Sequence, residues 1–172
     1  ALFNRFEAET LGVLDGDSQG AFWSQISDFS LPQEATGFCT VTDLLLKATL
    51  PITQTTEFIE RLEPVAEDTE LSLSALAHAG TGIVYVRART HSENEASHLT
   101  RFVDRARAVV RHLGGFLVCE SVPLGVKGKE DIWSTVDPGT GEPRADFQLM
   151  RRVKERFDPR SIMSPGRFVG GI

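Results

Sequence analysis

The sequence is poor in the residues that mark disulfide-rich, secreted and membrane-spanning proteins. Only two cysteines occur in 172 residues, Cys39 and Cys119, with no metal-ligand or CxxC spacing, and both stand in apolar, strand-like contexts. We therefore expect buried free thiols and a reducing compartment. No apolar run approaches the ~20 residues that a transmembrane helix needs. No signal-peptide pattern is visible, so the expected location is the cytoplasm.

Several short motifs that carry chemistry are missing as well. The sequence has no GxGxxG after a strand and no P-loop, the two common glycine-rich phosphate cradles. It also has no GxSxG and no HExxH, so we expect neither a nucleophile elbow nor a zincin helix. No internal repeat and no low-complexity tract is found.

Charge is distributed unevenly along the chain, whose formal net charge is −6. Residues 1–80 carry three basic and thirteen acidic side chains, whereas residues 81–172 carry a net charge of +4. The positive charge of residues 81–172 is too small for a nucleic-acid-binding surface. It suits an anionic cofactor or substrate.

The middle of the chain predicts the element order β-α-β-β-α-β. Alternating patterns predict strands at residues 41–50, 70–77, 83–90 and 116–122, and helical spacing predicts helices at residues 53–66 and 92–113. Further helices are predicted at residues 18–29 and 146–157. The expected fold is an α+β, ferredoxin-like antiparallel sheet with its helices on one face, plus an N-terminal helix and a C-terminal basic helix and tail. The length fits a single domain, residues 1–172.

Local signals predict where these helices begin and end. Thr53 is the expected N-cap of the first core helix, and Pro64 predicts that its last turn is distorted or ends early. A capping box at residues 92–95 starts the second core helix, and Gly114 is expected to end it in a left-handed conformation. The chain opens at Ala1 with a strand-like segment, which either an excised chain or simple N-terminal processing explains.

Two helices cover one side of a four-stranded sheet, so the opposite side is the expected functional surface. Strand parity assigns these residues to the helix-facing set: Leu44, Leu46, Leu50, Leu71, Leu73, Val84, Val86, Leu117 and Cys119. The opposite set is Lys47, Thr49, Ser72, Ser74, His78, Tyr85, Arg87, Arg89 and Glu120. Lys47, His78, Tyr85, Arg87 and Glu120 could together bind a carboxylate and handle a proton. The pattern alone leaves an ordinary solvated sheet surface equally open.

The last stretch of the chain is its most informative feature. A basic amphipathic helix ends at Asp158-Pro159, because the residue before a proline is pushed out of the α region. Ser164-Pro165-Gly166 then predicts a tight turn that leaves backbone N–H groups and Arg167 free to face a ligand. Such a tail needs a cofactor or a second domain to pack against.

This ending resembles that of FAD-linked oxidases of the vanillyl-alcohol-oxidase type. Their pattern is a helix with paired basic residues, then Phe-Asp-Pro, a spacer, and Asn-Pro-Gly followed by Lys or Arg. Here Arg151-Arg152, Phe157-Asp158-Pro159 and Ser164-Pro165-Gly166-Arg167 fill the same positions, with Ser164 in place of Asn. Ala77–Gly82 is similar to the His-Ala-Gly-x-Gly hairpin of the same C-terminal domains. Lys47–Pro51 resembles a strand of the glycolate oxidase FAD-binding subunit, to which the likeness is greatest.

The resemblance implies that the substrate lies between a flavin ring and the open sheet face. The implied substrate is a small 2-hydroxy acid such as glycolate. Lys47 or Arg87 would hold its carboxylate and His78 would accept a proton, with Tyr85 and Glu120 lining the site.

The resemblance also implies FAD as cofactor, with Ser164, Gly166 and Arg167 near the flavin. FAD would be bound mainly by an N-terminal domain that is absent from this chain. The implied partners are that domain, a second flavin subunit and an iron-sulphur subunit, which would place the protein peripherally at the inner membrane face.

No metal is expected, because Thr81, Ile83 and Tyr85 stand where metal-holding relatives carry Asp, Asn and a second His. A hypothesis from another class also remains open. The same element order fits a ferredoxin-like ligand-binding, regulatory or dimerisation module without catalytic activity.

Overall fold

The structure is a computed structural model of the chain. It describes residues 12–30, 43–90, 95–123, 125–127, 131–137 and 139–172. The predicted opening strand, Cys39 and residues 92–94 of the expected capping box lie outside these ranges. The chain divides into two compact units, Ala1–Leu31 and Pro32–Ile172.

The described part of the first unit, residues 12–30, contains helix α1 (Gly16–Ser27), followed by a short 3₁₀ turn at Asp28–Ser30. This confirms the helix that was expected at residues 18–29. Phe22 and Trp23 are about half exposed, and their rings meet edge to face with centroids 5.8 Å apart.

The second unit contains the sheet and the remaining helices. The elements are β1 (Asp43–Thr49), α2 (Thr55–Asp68), β2 (Leu71–His78), β3 (Ile83–Thr90), α3 (Glu95–His112), β4 (Phe116–Ser121) and α4 (Ala145–Phe157). The four strands lie in the order β2-β3-β1-β4, and every neighbouring pair is antiparallel. The predicted ferredoxin-like fold is confirmed.

A single hydrophobic core lies between one face of the sheet and helices α2 and α3. The predicted strand parity is confirmed, because Leu44, Leu46 and Val84 are fully buried there. The same core takes the apolar stripes of both helices: Phe58, Leu62, Val65, Ala66, Leu99, Phe102, Val103, Ala106 and Val110. Cys119 is a free thiol buried in this layer, as expected.

Two predictions about α2 are wrong. A 3₁₀ turn, Ile52–Gln54, precedes the helix, so the first helical residue is Thr55 and Thr53 does not cap it. The helix also continues four residues past Pro64, to Asp68. Pro64 is exposed, so water can satisfy the carbonyl group that the proline leaves without an N–H donor. Burial of Val65 and Ala66 then carries the helix onward.

Glycines end α3 as predicted. Gly114 takes φ +74°, and the Gly115 N–H donates to the Val110 carbonyl at 2.8 Å, which is the Schellman arrangement. The chain can therefore reverse at once into β4. The segment after β4 covers that edge strand, because the Cys119 N–H donates to the Ile132 carbonyl at 2.9 Å.

Candidate functional site

The candidate site is the face of the sheet opposite α2 and α3. In the strand register, Lys47 on β1 is paired with Tyr85 on β3 and with Val118 on β4, and Tyr85 is paired with Leu76 on β2. Directly paired residues share one face of a sheet. These four side chains therefore form a row across the open face.

Lys47 contacts two neighbouring side chains on this face. Its Nζ lies 3.6 Å from Oε1 of Glu120 and 5.5 Å from the centroid of the Tyr85 ring. A hydrogen bond with Tyr85 is the main cause that raises the pKa of Lys47. Partial burial opposes this rise, while the Glu120 carboxylate adds to it. Lys47 therefore keeps its positive charge through the physiological range.

Strand parity places Glu120 on this face, and a β-bulge lies beside it. The β1–β4 register shifts between Leu45 and Leu46, which leaves Glu120 without a direct partner on β1. A bulge re-aims the side chain of its extra residue. Here the Glu120 carboxylate reaches the ammonium group of Lys47, although periodicity alone could not locate the bulge.

His78 is the last residue of β2, and its ring is in edge contact with Tyr85 at a centroid distance of 6.0 Å. The hairpin that follows holds its backbone in place. The N–H groups of Thr81 and Gly82 donate to the His78 carbonyl at 3.0 and 3.1 Å, and the Thr81 hydroxyl donates to it at 3.1 Å. The imidazole itself is exposed. The structure thus groups Lys47, Tyr85, His78 and Glu120.

Arg87 lies on the same face but in a different environment. It is paired with Leu45 and Ser74, one step along β3 from Tyr85, and only 7% of its surface is exposed. Leu45 beside it is also buried, at 4%. Arg87 is therefore held within the face rather than presented at its surface as Lys47 is.

The open face is less polar than the sequence reading indicated. Apolar side chains alternate with the predicted polar ones. Leu45 was expected on this face from its strand pattern, and those missed are Leu76, Ile83, Phe116 and Val118. Their positions follow from the same strand parity. The sequence does not give the register between strands. The structure does, and it shows that these apolar side chains lie next to the polar cluster.

The C-terminal tail is organised around one carboxylate, Asp158. Asp158 accepts hydrogen bonds from the N–H groups of Ile162 at 2.9 Å and Met163 at 3.0 Å. Lys154 donates to Asp158 at 2.6 Å and to the Met163 carbonyl at 2.7 Å. These contacts, with the Lys154 hydrogen bond first, lower the pKa of Asp158 to about 2. The Phe-Asp-Pro motif therefore folds the tail back against α4.

The predicted turn at the end of the tail is present. Ser164 and Gly166 both take left-handed conformations, and the Arg167 N–H donates to the Ser164 carbonyl at 3.2 Å. Ser164 lines an open hollow of about 600 Å³ along α4. The apolar side chains that line it are Leu149, Met150, Val153, Phe157, Met163 and Phe168, each at least 41% exposed. Ser164 thus lines this hollow, and Gly166 and Arg167 follow it in the turn, whereas no residue of the Lys47 cluster lines the hollow.

Two comparisons with known proteins bear on this chain. Residues 141–168 match the family model for the C-terminal domain of FAD-linked oxidases. The chain is similar to the C-terminal domain of FAD-linked oxidases. This match covers α4 and the tail, where the sequence resemblance is strongest.

The second comparison extends the similarity over most of the chain. A D-lactate dehydrogenase of Archaeoglobus fulgidus is 29% identical over 125 residues, which is 73% of this chain. The chain spans 26% of that protein's length. The expected resemblance is confirmed at the level of FAD-linked oxidases, whereas the special likeness to the glycolate oxidase subunit stays a prediction.

Other expectations from the sequence also stay predictions. They are the roles of the site residues, the absence of a metal, the partner subunits and the cellular location. None of the described helices is both long and apolar enough to cross a membrane.

Proposed function

We propose that this chain is the substrate-side domain of an FAD-dependent oxidoreductase that oxidises a small 2-hydroxy acid such as glycolate. The observation that carries the proposal is the grouping of Lys47, Tyr85, His78 and Glu120 on the open face of a domain similar to those of FAD-linked oxidases. The name of the Archaeoglobus relative specifies lactate, which is itself a 2-hydroxy acid.

The open face fits one side of a flat cofactor ring. It is a sheet surface whose middle positions carry half-buried Leu76, Ile83 and Tyr85, with the polar groups of Lys47 and His78 beside them. The sequence has no glycine-rich phosphate cradle, so the pyrophosphate of FAD would be held by a domain outside this chain. Bound FAD would supply the acceptor for the hydride that leaves C2 of the substrate.

The residues of this chain would bind the acid and take up its proton. The Lys47 ammonium, whose pKa is raised, would pair with the substrate carboxylate beside the buried Arg87 guanidinium. His78 would accept the proton of the 2-hydroxyl group, since its imidazole is exposed on this face and can act as a general base. Loss of that proton and of the C2 hydride leaves a 2-oxo acid. Tyr85, in contact with both Lys47 and His78, would hold them apart at a fixed distance.

The hollow along α4 would receive the flavin-binding domain of the same protein. Exposed apolar side chains that lie together on a surface mark interaction sites, and six apolar side chains line this hollow. The family match at residues 141–168 falls on the same helix and tail. In the Archaeoglobus relative the matched region is 26% of the protein, so that protein has further chain that could cover such a hollow.

The test compares variants of the full-length protein in steady-state oxidation of several 2-hydroxy acids. Lys47→Ala should raise KM about tenfold or more, because one charge-assisted contact to the carboxylate is lost, and Lys47→Arg should restore most of the affinity. His78→Ala should lower kcat by about 10²-fold or more. Lys127→Ala, an exposed lysine outside the sheet, is the matched control. Unchanged turnover of every acid in Lys47→Ala, His78→Ala and Arg87→Ala would overturn the proposal.

A further inference from the structure

A second, smaller hollow lies beside the Lys47 cluster, between β4 and α4. Its volume is about 140 Å³. The apolar side chains around it are Phe116, Val118, Trp133, Phe147, Met150 and Val169. It is separate from the expected substrate and flavin contacts, because none of these residues belongs to either set.

Strand register places this hollow next to the proposed carboxylate site. Val118 forms its wall on the sheet side, and Val118 is the direct cross-strand partner of Lys47. Side chains so paired lie with their Cβ atoms about 5 Å apart on the same face. The base of the Lys47 side chain therefore lies next to Val118, and a molecule bound at the Lys47 ammonium would have the hollow within reach.

The polar residues around the hollow already have partners inside the protein. The Ser134 hydroxyl donates to the Leu117 carbonyl at 2.9 Å, and the Thr135 hydroxyl donates to Asp131 at 3.0 Å. Arg144 donates to Asp146 at 2.8 Å and lowers the pKa of that carboxyl. The hollow therefore offers few hydrogen-bonding groups to a ligand, and an apolar group fits it best.

The outer wall of the hollow is held firmly. Asp131 accepts hydrogen bonds from the backbone N–H groups of Trp133, at 3.3 Å, of Thr135, and of Val136, at 3.1 Å. Arg107 donates to the Asp131 carbonyl and, at 3.1 Å, to the Ser134 hydroxyl. On the other side, the Phe147 ring packs so closely on Gly170 that a Cβ there would overlap it. The hollow is therefore preformed.

Its size indicates the occupant. An apolar cavity of about 150 Å³ is large enough for benzene. In a 2-hydroxy acid, the side chain begins two bonds from the carboxylate carbon. An acid held at Lys47 could thus place a branched aliphatic or phenyl group in the hollow, whereas glycolate, which has no side chain, would leave it unfilled.

We infer that the hollow between β4 and α4 is the side-chain pocket of the substrate site, and that it selects 2-hydroxy acids with a bulky apolar side chain. This inference rests on the proposed function. It narrows the substrate class of the same site, with Val118, Trp133 and Met150 as the residues that set specificity.

The experiment measures kcat/KM of the full-length, FAD-loaded protein for glycolate, lactate, 2-hydroxy-4-methylpentanoate and mandelate. The readout is the ratio of each value to that for glycolate. Since one buried methylene is worth about tenfold or more in discrimination, the branched acid and mandelate should each exceed glycolate by at least about tenfold.

Two variants fill the hollow from opposite walls. Val118→Phe narrows it from the sheet, and Val169→Phe narrows it from the C-terminal segment, where Val169 is partly exposed and lies outside the larger hollow along α4. Each should lower the ratio for the bulky acids by about tenfold or more, chiefly through KM. Val136→Phe adds the same volume at an exposed position of the same wall segment, away from the hollow, and should leave the ratio unchanged.

The outcomes separate this inference from the proposed function. The pocket assignment is wrong, while the proposed function stands, if the protein oxidises glycolate or lactate but shows no preference for bulky acids. The same conclusion follows if both filling variants change kcat/KM equally for all four substrates. If none of the four acids is oxidised, the proposed function itself fails, and the pocket assignment fails with it.

Discussion

At the scale of single residues, Asp158 shows how a short motif does structural work. One carboxylate, 5% exposed, accepts two backbone N–H groups and one ammonium group, and thereby closes the tail onto α4. Sequence reasoning recognised the Phe-Asp-Pro pattern and the end of the helix. It did not identify the partners of the carboxylate, because these depend on the path of the chain after Pro159.

The order of the tail should depend on pH through Asp158. Its pKa in the folded protein, about 2, lies below the ordinary value of 3.8. The stabilisation is therefore fully present above about pH 4 and is lost as the pH falls toward 2. NMR shifts of the Ile162 and Met163 amides should titrate with a midpoint well below 4, and Asp158→Asn should abolish this titration. A midpoint near 4 in the wild-type chain would contradict the assignment.

Gly82 is the second residue with a defined structural requirement. Its φ is +71°, and a Cβ added there would overlap the Leu50 carbonyl oxygen, which lies against the β2–β3 hairpin at this point. Gly82→Ala should lower the free energy of unfolding of this chain by more than about 1 kcal/mol. Gly80→Ala in the same hairpin meets open space and should change it by no more than about 0.5 kcal/mol. Urea denaturation measures both, and equal effects would contradict this explanation.

At the scale of elements, α4 differs from the other helices of the second unit. Helices α2 and α3 bury their apolar stripes in the core, whereas α4 buries Phe147 and leaves Leu149, Val153 and Phe157 about half exposed or more. Amphipathic spacing predicts all three helices equally well. The spacing does not show whether the partner of an apolar stripe belongs to the same domain.

If the exposed apolar stripe of α4 is the surface that contacts the proposed flavin-binding domain, a charge placed on it should weaken that contact. Val153→Asp should change the stability of this chain by no more than about 0.5 kcal/mol, because the side chain is 48% exposed. The same substitution should weaken binding of the flavin-binding half by about tenfold or more, since an apolar contact is replaced by a buried charge. Isothermal titration with that half measures the loss, and Glu155→Ala on the polar side of α4 is the control. Equal affinity of Val153→Asp and wild type would show that α4 is not the interface.

At the scale of the whole molecule, the chain presents two separate surfaces for one proposed activity. The polar cluster of the sheet would face the substrate, and the apolar hollow of α4 would face the partner domain. Neither surface provides a phosphate cradle. Under the proposed function, an FAD molecule would therefore have only part of its binding site here.

This division predicts how the isolated chain behaves toward FAD. Titration of the chain alone with FAD should give a Kd weaker than about 1 mM, equivalent to less than about 4 kcal/mol of binding free energy. Mixing the chain with the FAD-loaded flavin-binding half should shift the flavin absorbance spectrum. Tight binding of FAD by this chain alone would contradict the division of the site.

The sequence alone was enough to predict the element order, the antiparallel sheet, the helix-facing parity and the resemblance of the tail, because each is written in local periodicity or in a contiguous motif. The extension of α2 to Asp68, the bulge beside Glu120, the burial of Arg87 and the apolar hollow behind Val118 came only from the tertiary structure. These features arise where residues far apart in the chain meet. Their contacts depend on strand register and on how the segment after β4 packs, and neither is encoded by the spacing of residues within one element.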